Sequence, residues 1–152
     1  MTRREIAEAV WWEMLGRPYI WGGNDPMESF DCSGLVIYGL QSVGLFPDKS
    51  DATAHELLHD TFRTRTRIGS PAYMRRGCLL FWNNPAGKVR HVEIVWEVLK
   101  DPAGNYTVIA LGASGGDSTT RTEEDAKKKN AFIKIHPVHG WAASIDPFEG
   151  YA

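Results

Sequence analysis

The chain has 152 residues, enough for one domain with a real core, and 43% hydrophobic and 24% charged residues, as in an ordinary soluble globular protein. Its formal net charge of −2 gives no reason to expect nucleic acid or a membrane surface as a partner. No apolar run approaches the roughly 20 residues of a membrane-spanning helix, and two cysteines are too few for a secreted disulfide framework.

The start, Met1-Thr2-Arg3-Arg4-Glu5, leads into an amphipathic helix rather than a signal-peptide core. The expectation is synthesis in the cytoplasm. Action outside the cell then needs delivery by something else, or a chain that has been trimmed. Thr2 and Glu5 have the spacing of a capping box. Ile6, Ala9, Val10, Trp11, Met14 and Leu15 form the apolar face of this first helix, and Gly16 suits its C-terminal end. A loop over 17–30 contains the turn formers Gly22, Gly23, Asn24, Asp25 and Pro26. A second helix begins at Cys32, carries Leu35, Val36, Tyr38 and Leu40 at helical spacing, and ends near Gly44. Ser50 or Asp51 is expected to cap a third helix through Ala54, Leu57 and Leu58. Strands are expected over 78–82, 92–98, 106–111 and 132–136. The polar stretch 117–129 reads as an exposed loop or short helix, with Lys127-Lys128-Lys129 as a solvated face. Helices first and strands afterwards predict a single α+β domain over 1–152 with an antiparallel sheet.

Cys32 stands out chemically. In the first turn of a helix, unpaired N–H groups and the positive dipole end stabilise a thiolate. With a histidine nearby, such placement lowers a cysteine pKa from about 8.5 into the range of roughly 3.5 to 7.5, which makes a nucleophile at neutral pH. Cys78, within Gly77-Cys78-Leu79-Leu80-Phe81-Trp82, reads as a packed free cysteine. A thiol nucleophile needs a base and a group that orients the base. His91 opens the strand His91-Val92-Glu93-Ile94-Val95-Trp96, and alternation places His91 and Glu93 on one face and Val92, Ile94 and Trp96 on the other. His91 is the candidate base.

The blocks Tyr19-Ile20-Trp21-Gly22-Gly23, Asp31-Cys32-Ser33-Gly34-Leu35, Gly77-Cys78-Leu79-Leu80-Phe81-Trp82 and His91-Val92-Glu93-Ile94-Val95 occur in that order. Together they resemble the NlpC-type cysteine peptidases, papain-like cell-wall endopeptidases, over residues 17–137. The stretch from Gly23 to Pro26, with Phe30-Asp31-Cys32-Ser33-Gly34, resembles the version found in phage lysins and phage tail proteins. The resemblance implies a papain-like core with N-terminal helices packed on the sheet. It implies Cys32 as nucleophile, His91 as general base, the Cys32 N–H in an oxyanion hole, and a Tyr19 hydroxyl lining the site. Asp31 and Ser33 match positions that bind the stem-peptide end of the substrate. On the residues alone, the alternatives are a packing aromatic for Tyr19, the lesser reading, and helix capping for Asp31 and Ser33, an even one. The implied substrate is bacterial peptidoglycan, cut at an amide after D-glutamate, commonly to diaminopimelate. No metal or organic cofactor is implied, and a phage tail or another assembly is the implied delivery partner.

Two departures from the family pattern matter. Cys78 stands where the family usually has an aspartate. The third catalytic residue is usually a polar side chain on the strand after the histidine strand, and Gly112 or a close neighbour stands in its place. Ser114, a backbone carbonyl or a water is then left to orient His91, or Cys32 and His91 act as a dyad. One rival motif is present. His55-Glu56-Leu57-Leu58-His59 matches the zinc-protease pattern H-E-x-x-H, for which His91, His136, His139, Glu123 and Glu124 are the available third ligands. A third reading is a non-catalytic wall-binding or structural phage module.

Overall fold

The computed structural model describes residues 1–25 and 29–151; Pro26 of the turn-forming stretch lies outside the described residues. Helix α1 spans Arg3–Glu13, and the Thr2 hydroxyl accepts from the Glu5 N–H at 3.1 Å. Its inner face is Arg4, Ala7, Trp11 and Met14; Trp11 and Met14 were expected there, whereas Ile6 and Ala9 of the expected stripe face outward. The rotation accompanies contacts distant in sequence. The Arg4 guanidinium turns inward to pair with Asp146 and to donate to the Arg76 carbonyl, so a charged residue takes an inner position. Trp11 anchors the helix, donating from Nε1 to the Leu35 carbonyl at 3.0 Å.

Helix α2 spans Cys32–Ser42 and is buried along most of its length. Asp31 is its N-cap, and Gly44 follows it with a φ of 75°. Helix α3, Ala54–Glu56, is capped by Thr53 rather than by Ser50 or Asp51. Thr53 and Glu56 form a reciprocal capping box, with bonds of 3.1 Å and 3.0 Å. The chain continues as a wider π turn, Leu57–Thr61, which buries Leu57 and Leu58. Helix α4, Glu123–Lys129, resolves the charged stretch as a short exposed helix with its own capping box from Thr122 and Asp125. Lys127 and Lys128 pair with Glu123 and Glu124 one turn earlier.

Two short strands, β1 (Asn24–Asp25) and β2 (Ser29–Phe30), pair with each other just before α2. The main sheet contains β3 (Leu79–Asn83), β4 (Val89–Lys100), β5 (Tyr106–Ser114), β6 (Phe132–Val138) and β7 (Ala143–Ile145). It is antiparallel with the order β6-β5-β4-β3-β7. The architecture is α+β, as expected. Each expected strand is present; β1, β2 and β7 are additions, too short to carry a hydrophobic period. Both faces of the sheet are covered. Phe81, Val92, Ile94, Leu111 and Ile133 belong to the core shared with α1 and α2, while Cys78, Leu80, Val95, Val108 and Ala110 form a second cluster on the other face. No helix among the described residues is long and apolar enough to cross a membrane.

Candidate active site

A cleft of about 810 Å³ opens where the start of α2 meets the start of β4. Tyr19, Trp21, Asp31, Cys32, Ser33 and His91 are among the residues that line it. Asp31 builds the local frame. Its Oδ1 accepts from the Gly34 N–H at 2.8 Å, and its Oδ2 accepts from the Gly22 N–H at 2.9 Å. One carboxylate thus caps α2 and ties the preceding loop to it. Cys32 follows as the first residue of the helix, where its own N–H has no intrahelical acceptor.

His91 lies beside Cys32 in the cleft, close enough for the Cys32 side chain to act on its titration. On the other side of the ring, Nε2 lies 2.9 Å from Glu93 Oε2. A carboxylate only accepts, so Nε2 carries a proton toward Glu93 and Nδ1 is left for the thiol. Burial pulls the His91 pKa down, but the Cys32 and Glu93 side chains outweigh it and raise it to about 9. For Glu93 the balance has the opposite sign. Burial pushes its pKa up, yet the His136 and His91 bonds hold it below the usual carboxylate value. His136 Nε2, from β6, lies 2.6 Å from Glu93 Oε1.

Ser114 is not the partner of His91. It lines a second cavity of about 510 Å³ on the far side of His91, together with Glu93 and His136, and makes no hydrogen bond to His91 among the described residues. The carboxylate at the far nitrogen comes from the histidine's own strand. Two signals for it were present in the sequence: the alternation that puts His91 and Glu93 on one face, and a glycine at 112, which empties the place a side chain from β5 would take. An ideal Cβ at Gly112 would stand 2.4 Å from Glu93 Oε1.

Tyr19 is 4% exposed and lies against the same cleft. Burial, and then the neighbouring Cys32 and Asp31, push its phenol pKa well up, so it is a neutral hydroxyl. Ser33 is buried, with its hydroxyl 3.5 Å from Asp31 Oδ1. Cys78 is fully buried just before β3 with its thiol pKa raised by burial, a packing residue as expected.

The H-E-x-x-H residues have other partners. His55 Nδ1 accepts from the Val89 N–H at 3.2 Å, and its ring lies 4.4 Å from that of His59. Glu56 closes the capping box with Thr53. Among the described residues, no group of three His, Cys, Asp or Glu side chains converges in a metal-ligand arrangement.

Residues 16–133 match the model of the NlpC/P60 family. The probable endopeptidase YafL of Escherichia coli (strain K12) is 41% identical over 71 residues, which cover 47% of this chain and 26% of that protein. The matched stretch is therefore about a quarter of that relative's length. The NlpC/p60 domain of the peptidoglycan hydrolase SagA has a TM-score of 0.61 at 23% identity, covering 94% of this chain and 97% of that one. RipD of Mycobacterium tuberculosis, described as a non-catalytic NlpC/p60 domain protein adapted to peptidoglycan binding, has a TM-score of 0.57 at 16% identity, covering 95% and 97%. The two structural likenesses show the fold, and the sequence match covers most of the chain. This chain belongs to the NlpC/P60 family.

Proposed function

We propose that this domain is a cysteine endopeptidase that hydrolyses peptide bonds in the stem peptides of bacterial peptidoglycan. The observation that supports the reading best is the Cys32–His91 pair at the start of a helix in an open cleft. The match to YafL, a probable endopeptidase, supports the reaction class, and the likeness to SagA, a peptidoglycan hydrolase, supports the substrate class.

In the proposed mechanism the Cys32 thiolate, beside a protonated His91, attacks the scissile carbonyl carbon. A carbon–sulfur bond forms and the carbonyl electrons move onto oxygen. The Cys32 N–H, free at the helix start, donates to that oxyanion. The intermediate collapses, the carbon–nitrogen bond breaks, and the His91 proton passes to the leaving amine. Neutral His91 then takes a proton from water, whose oxygen attacks the thioester. The thiolate leaves and the pair is restored. Tyr19 and Ser33 line the substrate path, and Asp31 shapes it by holding the Gly22 loop against α2. The scheme uses no cofactor. The bond is proposed as D-glutamyl-diaminopimelate on the resemblance of the Cys32 motif. Delivery to the wall by a phage-type assembly, after synthesis in the cytoplasm, is proposed on the resemblance of the 23–34 segment alone.

A binding module without catalysis is the second reading, favoured by the fold likeness to RipD. The Cys32–His91 pair weighs against it. Digestion of purified peptidoglycan, with fragments identified by mass spectrometry, tests the choice. New amine termini next to D-glutamate are expected with the native chain and none with Cys32→Ala. Intact peptidoglycan with both would leave the binding reading.

A further inference from the structure

Glu93 is 2% exposed, and the apolar Leu80, Val95 and Ala110 pack on its face of the sheet. A buried carboxylate survives only when its oxygens are satisfied, and replacing a buried ionic group with apolar residues is often neutral or stabilising. Both oxygens here have partners. Oε2 meets His91 Nε2 at 2.9 Å and Oε1 meets His136 Nε2 at 2.6 Å. The carboxylate therefore joins two strands that are not neighbours, since β5 runs between β4 and β6. It crosses at a single opening. Ile94 pairs with Leu111, which sets Gly112 opposite Glu93, and a Cβ at 112 would overlap the Glu93 side chain, 2.4 Å from both Cγ and Oε1.

We propose that Glu93, admitted by Gly112 and anchored by His136, is the positioning residue that holds His91 with Nδ1 aimed at Cys32. The inference rests on the reading of Cys32 and His91 as nucleophile and base. It explains three features at once: a glycine in the middle of a buried strand, an ionised side chain in a core, and a histidine on β6 aimed inward. Glu93 accepts the Nε2 proton, which fixes the tautomer and the ring plane. His136 holds the other oxygen, so the carboxylate does not swing away. The groups that act on His91 directly are the Cys32 sulfur from α2 and Glu93 from its own strand. Trp82 of β3 covers the ring, with centroids 5.4 Å apart, and Arg90 and Asp117 line the cavities beside it.

The test is the pH profile of Cys32 alkylation by iodoacetamide on the full chain, followed by mass spectrometry of the Cys32 peptide. It needs no wall substrate. The native chain is expected to show a step near pH 9, where His91 loses its proton. In Glu93→Gln, which keeps the shape and removes the charge, the step moves to lower pH. In Glu93→Ala it moves further, and kcat/KM on peptidoglycan falls roughly 10²-fold, within the range a positioned acid–base group supplies. Glu93→Gln retains more activity than Glu93→Ala, and His136→Ala gives the same shift, smaller. Gly112→Ala reproduces the Glu93→Ala shift in the native background and adds nothing in the Glu93→Ala background. An unmoved step in a folded Glu93→Gln chain, judged by circular dichroism, overturns the proposal. If the steps shift as expected but the native chain leaves peptidoglycan intact, the substrate reading fails and the Glu93 assignment stands.

Discussion

Trp11 of α1 packs into a notch in α2 that exists because residue 39 is glycine: a Cβ there would fall 2.1 Å from the indole Nε1, which donates to the Leu35 carbonyl. The contact fixes the helix that carries Cys32. Gly39→Ala is therefore expected to destabilise the fold by about 1–3 kcal/mol through overpacking, although alanine gains about 1 kcal/mol in helix propensity. Urea denaturation measures it. A gain in stability would show that Trp11 can move without cost.

Asp31 separates capping from substrate contact. Asp31→Ala removes the acceptor of two backbone N–H groups, one at the start of α2 and one in the Gly22 loop. A loss of about 1–2 kcal/mol is expected, together with loss of activity because Cys32 is the next residue. Asparagine is an equally good N-cap toward the Gly34 N–H, but its NH2 cannot accept from the Gly22 N–H, so Asp31→Asn is expected to keep the cap, lose the loop tie and fall between the native chain and Asp31→Ala in stability and activity. An Asp31→Asn chain as stable and active as the native one would show that the Gly22 tie is dispensable.

The two cysteines are expected to behave differently. Cys32→Ala abolishes wall hydrolysis with the fold intact, and Cys78→Ser keeps activity at a cost of about 1–3 kcal/mol for burying a hydroxyl in place of a thiol. Cys78 is fully buried, so iodoacetamide labels Cys32 in the native chain. Folded, inactive Cys78→Ser beside active Cys32→Ala reverses the assignment.

Chelator treatment and His59→Ala are both expected to leave activity unchanged, since His59 is exposed and Glu56 is held in a helix cap. Glu56→Ala is expected to lower stability slightly through the lost capping box while keeping activity. Inactivation by chelator with recovery on adding zinc would move the chemistry to His55, Glu56 and His59.

Stability should fall on both sides of neutrality. The His91 pKa is higher folded than unfolded, so its contribution is full below about 6.5 and is lost as pH rises through about 9. Glu93 is shifted down, so its contribution is present at neutral pH and is lost as pH falls below its ordinary carboxylate value. Thermal melts from pH 4 to 10 are expected to show a decline on the alkaline side that flattens in His91→Gln. An unchanged alkaline slope in that variant would separate His91 from the effect.

The sequence by itself determined the longer elements, their order and the two central groups. Cys32 was legible because a helix start needs a capping residue before it, and Asp31 supplies one beside turn-forming glycines. His91 was legible because strand alternation separated it from Val92, Ile94 and Trp96. The four longest strands of the sheet were legible for the same reason, each having enough length to show its period. Tertiary structure decided what depends on contacts distant in sequence. Hydropathy placed Ile6 inside α1, but the partner of Arg4 is Asp146, and that ion pair turned the helix. Local caps pointed to Ser50 or Asp51, but Thr53 has Glu56 at the reciprocal spacing and begins the helix later. The orienting group was sought on β5 near Ser114. It came instead from β4, because Gly112 leaves a space that only the folded register of β4, β5 and β6 brings beside Glu93 and His136. Periodicity states which face a side chain takes; whether that face has room, and who stands across it, is settled only when the strands pair.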